Sequence, residues 1–338
     1  MAVTDTAAEA VTDRVIPFGQ ALNEALDDAL ARDPKVFLLG EDIADPAGGV
    51  LKTTAGLSTK YGAHRVRTTP ISEQAIIGAA IGAALGGFKP VAEIMLMDFF
   101  AVCMDQVANH AAKLRYMSGG RTGVPITIRT QVGGGLGFGG QHSQSLEAWM
   151  AHIPGLKVVC PSTPADAKGL LTACIDDPDP CIFMETIGLV YGATGPVPPG
   201  HHSVPLGVAD VKREGSDVTV VAWGKTVHDA LAAAAEVEAD GISVEVVDLR
   251  TIVPLDLPAV LTSVAKTRRA LVVHNATRFC GVGAEIASLI HGELHSDLAG
   301  PVERIGAAYA TIPFAGVLEG ALFPSKDGIV ARLRAMTG

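Results

Sequence analysis

The sequence is poor in several features that mark common classes of protein. Its five cysteines form no Cys-x-x-Cys pair, which argues against a zinc ribbon, a redox dithiol and a disulfide framework. The net charge is −10 and no stretch is strongly basic, so neither nucleic acid nor a membrane surface is an expected partner. The first twelve residues lack the positive start and apolar run of a secretory signal, and we therefore expect a cytoplasmic protein.

What is present indicates a two-domain α/β protein. The chain has 338 residues, which is longer than a chain with a single hydrophobic core usually is. Hydrophobic residues make up 48% of it. Short apolar runs alternate with helical patterns, which predicts two doubly wound domains, each with a largely parallel sheet covered on both faces. We predict a flexible tail at 1–14, a first domain at 15–192, a proline-rich linker at 193–207 and a second domain at 208–338.

One carboxylate stands out at the start of an almost uncharged helix. Thr69 is a plausible N-cap and Pro70 suits the first helical position, which puts Glu73 in the first turn. A glutamate there could simply complement the helix dipole. However, the helix carries no charge from 74 to 87, and its glycines recur every fourth residue at Gly78, Gly82 and Gly86. The spacing predicts a face that another backbone or a ligand approaches closely.

Two further segments carry possible chemistry. Glu41 and Asp42 follow a short apolar strand, and acids at a strand's carboxyl end often contact ligands in open α/β sheets, although solvated loop residues fit nearly as well. Residues 135–140 match Gly-x-Gly-x-x-Gly. A dinucleotide site also has an acidic residue about 20 residues later, but this chain has Cys-Pro-Ser there, at 160–162. Alternatively, the loop brings His142 to a helix start, as a neutral proton carrier or as a structural residue.

The segment Thr-Pro-Ile-Ser-Glu at 69–73, with its two following glycines at 78 and 82, resembles the β subunit of the thiamine diphosphate-dependent 2-oxo acid dehydrogenases. Gln-His-Ser-Gln at 141–144 resembles the active-site segment of the same family. Other segments resemble the family in order along residues 15 to 335, namely 115–120, 154–159, 166–170 and 250–254. The resemblance implies a pyrimidine-type thiamine diphosphate-binding domain followed by a transketolase C-terminal-type domain.

The resemblance also implies roles for particular residues. Glu73 would hydrogen-bond the cofactor's pyrimidine ring and favour the tautomer that takes the proton from the thiazolium carbon. Phe99 and Met95 would line that ring, although both residues would serve equally well in an ordinary core. His142 would lie beside the cofactor and help to handle the acyl intermediate and the incoming lipoyl group.

A metal and two partners are likewise implied by the resemblance. The loop at Cys174, Ile175, Asp177 and Asp179, with Ile126, resembles one that wraps a structural potassium ion, although Asp179 stands where the family often has asparagine. An acidic turn that ends a helix is the alternative. The chain lacks the Gly-Asp-Gly motif that holds magnesium and diphosphate. An α subunit would supply that motif in an α2β2 complex, which would dock a lipoyl acyltransferase.

The implied reaction is oxidative decarboxylation of pyruvate or a related 2-oxo acid, followed by acyl transfer to the lipoyl group. The segment from Arg129 to Pro164 is particularly similar to acetoin dehydrogenase β subunits, which implies carbon–carbon cleavage of acetoin as an alternative. Residues 186–191 depart from the family's pattern and leave a specialised biosynthetic role open. A non-catalytic scaffold subunit is the remaining alternative.

Overall fold

The computed structural model describes residues 14–338. The predicted flexible tail at 1–14 lies outside the described residues apart from Arg14, which begins a strand. The strands up to residue 197 are β1 (Arg14–Pro17), β2 (Val36–Glu41), β3 (Val66–Thr69), β4 (Lys89–Leu96), β5 (Thr127–Val132), β6 (Lys157–Val159), β7 (Cys181–Thr186) and β8 (Thr194–Val197). The α-helices in this part are α1 (Phe18–Arg32), α2 (Leu57–Tyr61), α3 (Glu73–Leu85), α4 (Phe100–Asp105), α5 (Leu114–Met117), α6 (Glu147–Ala151), α7 (Pro164–Asp176) and α8 (Ile187–Gly192).

The remaining elements follow the same alternation. The strands are β9 (Asp210–Arg213), β10 (Val218–Ala222), β11 (Val244–Asp248), β12 (Thr251–Val253), β13 (Ala270–Thr277) and β14 (Glu303–Ala307). The helices are α9 (Lys225–Val237), α10 (Leu257–Thr267), α11 (Val282–Leu294), α12 (Gly316–Leu322) and α13 (Lys326–Thr337). Because strands and helices alternate, most strand connections cross over a sheet face, as the sequence predicts.

Two large sheets organise the described chain. The first has the order β12-β6-β7-β5-β4-β2-β3, and the second has the order β14-β13-β10-β11-β9. Each sheet has a single antiparallel pair at one edge, and its other pairs are parallel. The antiparallel pair is β12 with β6 in the first sheet and β9 with β11 in the second. The predicted fold class, two α/β domains with largely parallel sheets, is confirmed.

The two halves of the chain are joined by more than a linker. The predicted linker at 193–207 contains β8, which pairs with β1, and β12 leaves the second half to extend the first sheet. One continuous hydrophobic cluster also runs from Ile77 and Phe100 to Val221 and Ile286. The domain boundary stays a prediction, and both a strand and a core cross it.

The structure corrects three predicted helix boundaries. Thr69 is the last residue of β3 and pairs with Glu41, so its backbone cannot cap a helix, and α3 starts at Glu73 with Ser72 at the N-cap position. The sequence pattern also predicts one long helix from Phe99 to Tyr116, and in the structure a π-helical turn at Gln106–Ala111 divides it. The pattern likewise predicts a helix from Ser143 to His152, but α6 starts only at Glu147, because the Gln144 backbone N–H is bound by the Asp98 carboxylate instead of belonging to a helix.

Helix α3 has two different faces. Ile76, Ile77, Ala80, Ile81 and Ala84 are buried against the core, whereas the predicted glycine face is exposed. A Cβ atom on Gly82 would meet no atom of this chain within 4 Å, and one on Gly78 would meet only Gln106, at 3.8 Å. The close approach predicted for these glycines is therefore not made within this chain.

Candidate active site

The candidate site lies at the carboxyl edge of the first sheet. Glu41 ends β2, directly opposite Thr69 at the end of β3. The neighbouring strand β4 runs into the short helical turn at Met97–Phe99, and β5 runs into the glycine loop at residues 133–140. This is the edge at which open α/β sheets bind ligands.

Two buried carboxylates meet at this edge. Glu73 is 7% exposed and Glu41 is 8% exposed. Burial raises the pKa of Glu41, and the nearby carboxylates of Glu73, Asp42 and Glu93 raise it further. Within residues 14–338, the fully buried Thr69 hydroxyl lacks a hydrogen-bond partner. The carboxylates of Glu41 and Glu73 form no side-chain hydrogen bond with another described residue, and their oxygens are not completely buried. Buried polar groups normally have hydrogen-bond partners, so this edge has the properties of a ligand site.

An aromatic pair forms the other identified part of the site. The rings of Phe99 and His142 pack edge to face with centroids 5.4 Å apart and an interplanar angle of 84°. Asp98 holds this pair together, because its carboxylate accepts hydrogen bonds from the Gln144 backbone N–H at 3.3 Å and from the Gln144 amide at 2.8 Å. His142 is exposed and Phe99 is half-buried. The structure thus brings two of the predicted site residues into direct contact.

Met95 contributes a softer surface on β4. Its side chain is half-buried, whereas its neighbours Ile94 and Leu96 are buried. A pyrimidine ring with an amino group offers ring nitrogens and N–H donors to carboxylates, and a flat apolar face to an aromatic ring or a thioether. The unpartnered carboxylates, Phe99 and Met95 therefore match the chemistry of such a ring.

The glycine loop does not offer a free anion site. Glu319 in α12 is 2% exposed, and its carboxylate accepts hydrogen bonds from the backbone N–H groups of Gly135, at 2.8 Å, and Gly137, at 3.0 Å. Amides that would face a dinucleotide's phosphates thus already bind an internal carboxylate. The geometry argues against the dinucleotide interpretation of this motif.

A buried charge cluster supports the sheet behind the site. Arg129 on β5 donates to Glu185 on β7 at 2.6 Å, to Glu93 on β4 at 2.9 Å and to the Thr53 hydroxyl at 3.0 Å. Burial raises the pKa of Glu185 to about 7, although Arg129 opposes the shift. The cluster ties β4, which leads to Phe99, to its neighbours.

The predicted potassium loop is compact, but its carboxylates are already paired. Asp177 forms an ion pair with Lys157, and Asp179 forms one with Arg115. The carbonyl oxygens of Ile126 and Cys174 each accept one backbone hydrogen bond and retain a second lone pair. No group of three or more His, Cys, Asp or Glu side chains in the described part of the chain could hold a metal ion. Carbonyls are thus the donors that fit a potassium ion here, and the ion itself stays a prediction.

Several residues of the site escape sequence reasoning. Asp98 and Gln144 lie beside predicted site residues, but nothing local shows that they bind each other. Glu319 is 182 residues from Gly137, and an acid in a short helix gives no signal of its partner. Glu41 is the exception, because its place at the end of an apolar strand marks it.

Comparison with known families decides what kind of protein this is. The family model described as the transketolase pyrimidine-binding domain matches residues 14–191, and that of the transketolase C-terminal domain matches residues 207–329. The β subunit of acetoin:2,6-dichlorophenolindophenol oxidoreductase from Cupriavidus necator is 46% identical over 323 residues, covering 93% of this chain and 95% of that protein. This chain is a transketolase-type dehydrogenase β subunit.

Other proteins similar to this β subunit are named for different substrates. The β subunit of 2-oxoisovalerate dehydrogenase from Bacillus subtilis is 42% identical and covers 95% of this chain and 98% of that protein. The β subunit of the pyruvate dehydrogenase E1 component from the same organism is 44% identical and covers 87% of this chain and 90% of that protein. The family resemblance is confirmed, and the β subunit belongs to a family of oxidoreductase components.

A solved structure shows the same fold. The split-gene transketolase described as an inactive β4 tetramer has a TM-score of 0.77, covers 95% of this chain and 98% of its own, and is 22% identical. Within residues 14–338 of the β subunit, no helix combines the length and the apolar character needed to cross a bilayer.

Proposed function

We propose that this β subunit provides the pyrimidine side of a thiamine diphosphate site that an α subunit completes. The assembled enzyme would oxidatively decarboxylate pyruvate or a related 2-oxo acid and pass the acyl group to the lipoyl group of an acyltransferase component. The observation that carries the proposal is the pair of buried, unpartnered carboxylates, Glu41 and Glu73, at the same sheet edge as the Phe99–His142 pair.

Each residue has a task that follows from its surroundings. Glu73 would hold a proton at a pyrimidine ring nitrogen, and Phe99 and Met95 would fix the plane of that ring. Thiamine diphosphate, when bound, supplies the nucleophilic carbon that the side chains of proteins lack. His142 is exposed, so it can hold or move a proton at the oxygen of an incoming substrate.

The proposal requires a partner for two reasons. The chain has no Gly-Asp-Gly motif for magnesium and diphosphate, so an α subunit would hold the magnesium ion. The exposed glycine face of α3 lets a second backbone come close without meeting side chains of this chain. An α2β2 complex satisfies both requirements, and we place it in the cytoplasm.

A second candidate reaction is the carbon–carbon cleavage of acetoin. Two β subunits named for acetoin oxidation, from Cupriavidus necator and Bacillus subtilis, are each 46% identical to this chain. The pyruvate and 2-oxoisovalerate β subunits of Bacillus subtilis are 44% and 42% identical. Similarity thus favours acetoin slightly, and the substrate is best decided by assay.

The test compares two glutamates that both lie in the first turn of a helix. Glu73→Gln removes a buried carboxylate, and Glu285→Gln removes an exposed one from α11. If Glu73 served only the helix dipole, the two variants would behave alike. We expect Glu73→Gln to lower the turnover of the α2β2 complex by about 100-fold or more and Glu285→Gln to leave it unchanged. Wild-type turnover by Glu73→Gln would contradict the proposal.

The substrate follows from the same complex. The wild-type enzyme, supplied with thiamine diphosphate and magnesium, is assayed with pyruvate, 2-oxoisovalerate and acetoin, with 2,6-dichlorophenolindophenol as electron acceptor. The substrate with the highest kcat/KM identifies the reaction. Cofactor binding without turnover of any of the three would favour a specialised substrate, and no cofactor binding would favour the scaffold alternative.

A further inference from the structure

The glycine loop at residues 133–140 is held from outside by the C-terminal half of the chain. The Glu319 carboxylate accepts from the Gly135 and Gly137 amides, and hydrogen bonds to an ionised acceptor are stronger than those between neutral groups. Both glycines have positive φ angles, 108° and 70°. The loop thus forms a small concave nest of N–H groups whose anion is a side chain of the same protein.

The neighbouring glycines fit the same segment of the C-terminal half. A Cβ atom on Gly134 would collide with the Phe323 ring, and one on Gly139 would lie 2.7 Å from the Phe314 ring. A Cβ atom on Gly140 would lie 2.5 Å from the Thr311 side chain. The loop is therefore rich in glycine because residues 311–323 pack directly against its backbone. We call this segment the latch.

The glycine loop that the latch holds lies directly before the proposed catalytic residue, His142, in the sequence. The His142 N–H bonds to the Gly139 carbonyl at 3.4 Å, and Gln144 is fixed by Asp98. His142 is thus positioned between two anchors, the latch on one side and Asp98 on the other. The Asp98 anchor adjoins Phe99, but the latch anchor depends on an element more than 170 residues away in sequence.

We propose that Glu319 is a positioning residue, which holds the glycine loop so that His142 stays packed against Phe99. The inference rests on the proposed function only for the role of His142 in the reaction. The contact between Glu319 and the loop is independent of it. The glycine motif thus resembles a phosphate-binding loop, but here it lets the C-terminal half of the chain fix the position of His142 at the active site.

Two measurements on the α2β2 complex test the proposal. The variants are Glu319→Ala, Glu319→Gln, which keeps one acceptor oxygen, and the control Val317→Ala, which changes an exposed residue of the same helix. Hydrogen exchange in peptides spanning 133–142 should accelerate by about tenfold or more in Glu319→Ala, by less in Glu319→Gln, and not in the control. Unchanged exchange in both Glu319 variants would overturn the proposal.

The second measurement is a double-mutant cycle on turnover. We expect Glu319→Ala to lower kcat by about 10- to 100-fold because a displaced catalytic group loses its alignment. In a His142→Ala background the same change should cost almost nothing, since the group it positions is gone. If the loss of kcat in the double variant equals the product of the two single losses, Glu319 acts independently of His142, and the proposal is overturned.

The design separates this inference from the proposed function. If the wild-type complex turns over none of the substrates, the exchange measurement alone decides: faster exchange supports the latch, and unchanged exchange refutes it. If Glu319→Ala does not fold, Glu319→Gln supplies both measurements.

Discussion

Removal of Arg129 should show how strongly the sheet behind the site depends on one buried charge. Arg129 is 1% exposed, and its guanidinium binds Glu93, Glu185 and Thr53. Arg129→Met keeps an unbranched apolar stem but leaves two buried carboxylates, Glu93 and Glu185, without a cation. Breaking a buried ion pair in this way costs about 3–5 kcal/mol of unfolding free energy.

The loss should depend on pH with a predictable sign. In the wild type, burial already raises the pKa of Glu185 to about 7, above its value in the unfolded chain. Loss of Arg129 removes the charge that opposes this shift, so the folded variant binds more protons than the folded wild type. The difference in unfolding free energy between the wild type and the variant therefore grows as the pH rises. It grows by up to about 1.4 kcal/mol per pH unit for each additional proton that the folded variant binds.

Urea unfolding followed by circular dichroism at pH 6 and pH 8 measures both quantities. A triple variant with methionine at 93, 129 and 185 is the matched control, because it removes the cluster without leaving an unpaired charge. Replacing an entire buried ion network in this way is often close to neutral. A loss below about 1 kcal/mol for Arg129→Met at both pH values would refute the reasoning, because a buried charge left unpaired costs more.

Two further predictions concern burial and assembly. Burial lowers the pKa of His274 to about 4, so wild-type stability should fall by up to about 3 kcal/mol as the pH drops from 6.5 to 4. The His274 ring stacks on Trp223 with centroids 5.2 Å apart, and His274→Phe retains such a ring. This variant should lose less stability over the same pH range in thermal unfolding and follow the wild type above pH 7.5; equal losses at low pH would contradict the shift. Gly82→Leu should leave the folded chain intact, since no atom lies within 4 Å of its Cβ position, but should block α2β2 assembly in sedimentation velocity. Gly292→Leu, at an equally open helical position, is the control, and normal assembly of both variants would rule out the glycine face as an interface.

The parts of the fold and site that the sequence predicts are those that depend on local pattern. Alternating apolar runs and helical periods predict the order of elements. Separate segments that resemble the family, around Glu73 and at 141–144, lead to the prediction that Phe99 and His142 belong to one site, and the structure brings their rings into contact. Glu41 is predictable because a strand's carboxyl end is a defined place in an α/β sheet.

The parts that escape prediction depend on contacts between distant residues. The cation that binds Glu185 cannot be read from Glu185 itself, since Arg129 lies 56 residues away. The start of α3 is missed because Thr69, a good capping residue by type, is instead used by β3 for pairing with Glu41. Strand β12 has only three residues, too few to show any period. In each case tertiary pairing overrides a local preference.

Strand β12 limits how this protein can be divided. A chain cut in the proline-rich segment at 193–207 would leave β6 without its antiparallel neighbour, and its free backbone N–H and C=O groups would become an open edge that invites aggregation. The two family models match residues 14–191 and 207–329 separately, but β12 prevents these ranges from being independent pieces of the fold. A heterologous domain grafted onto residues 14–191 would need to bring its own three-residue strand to seal that edge.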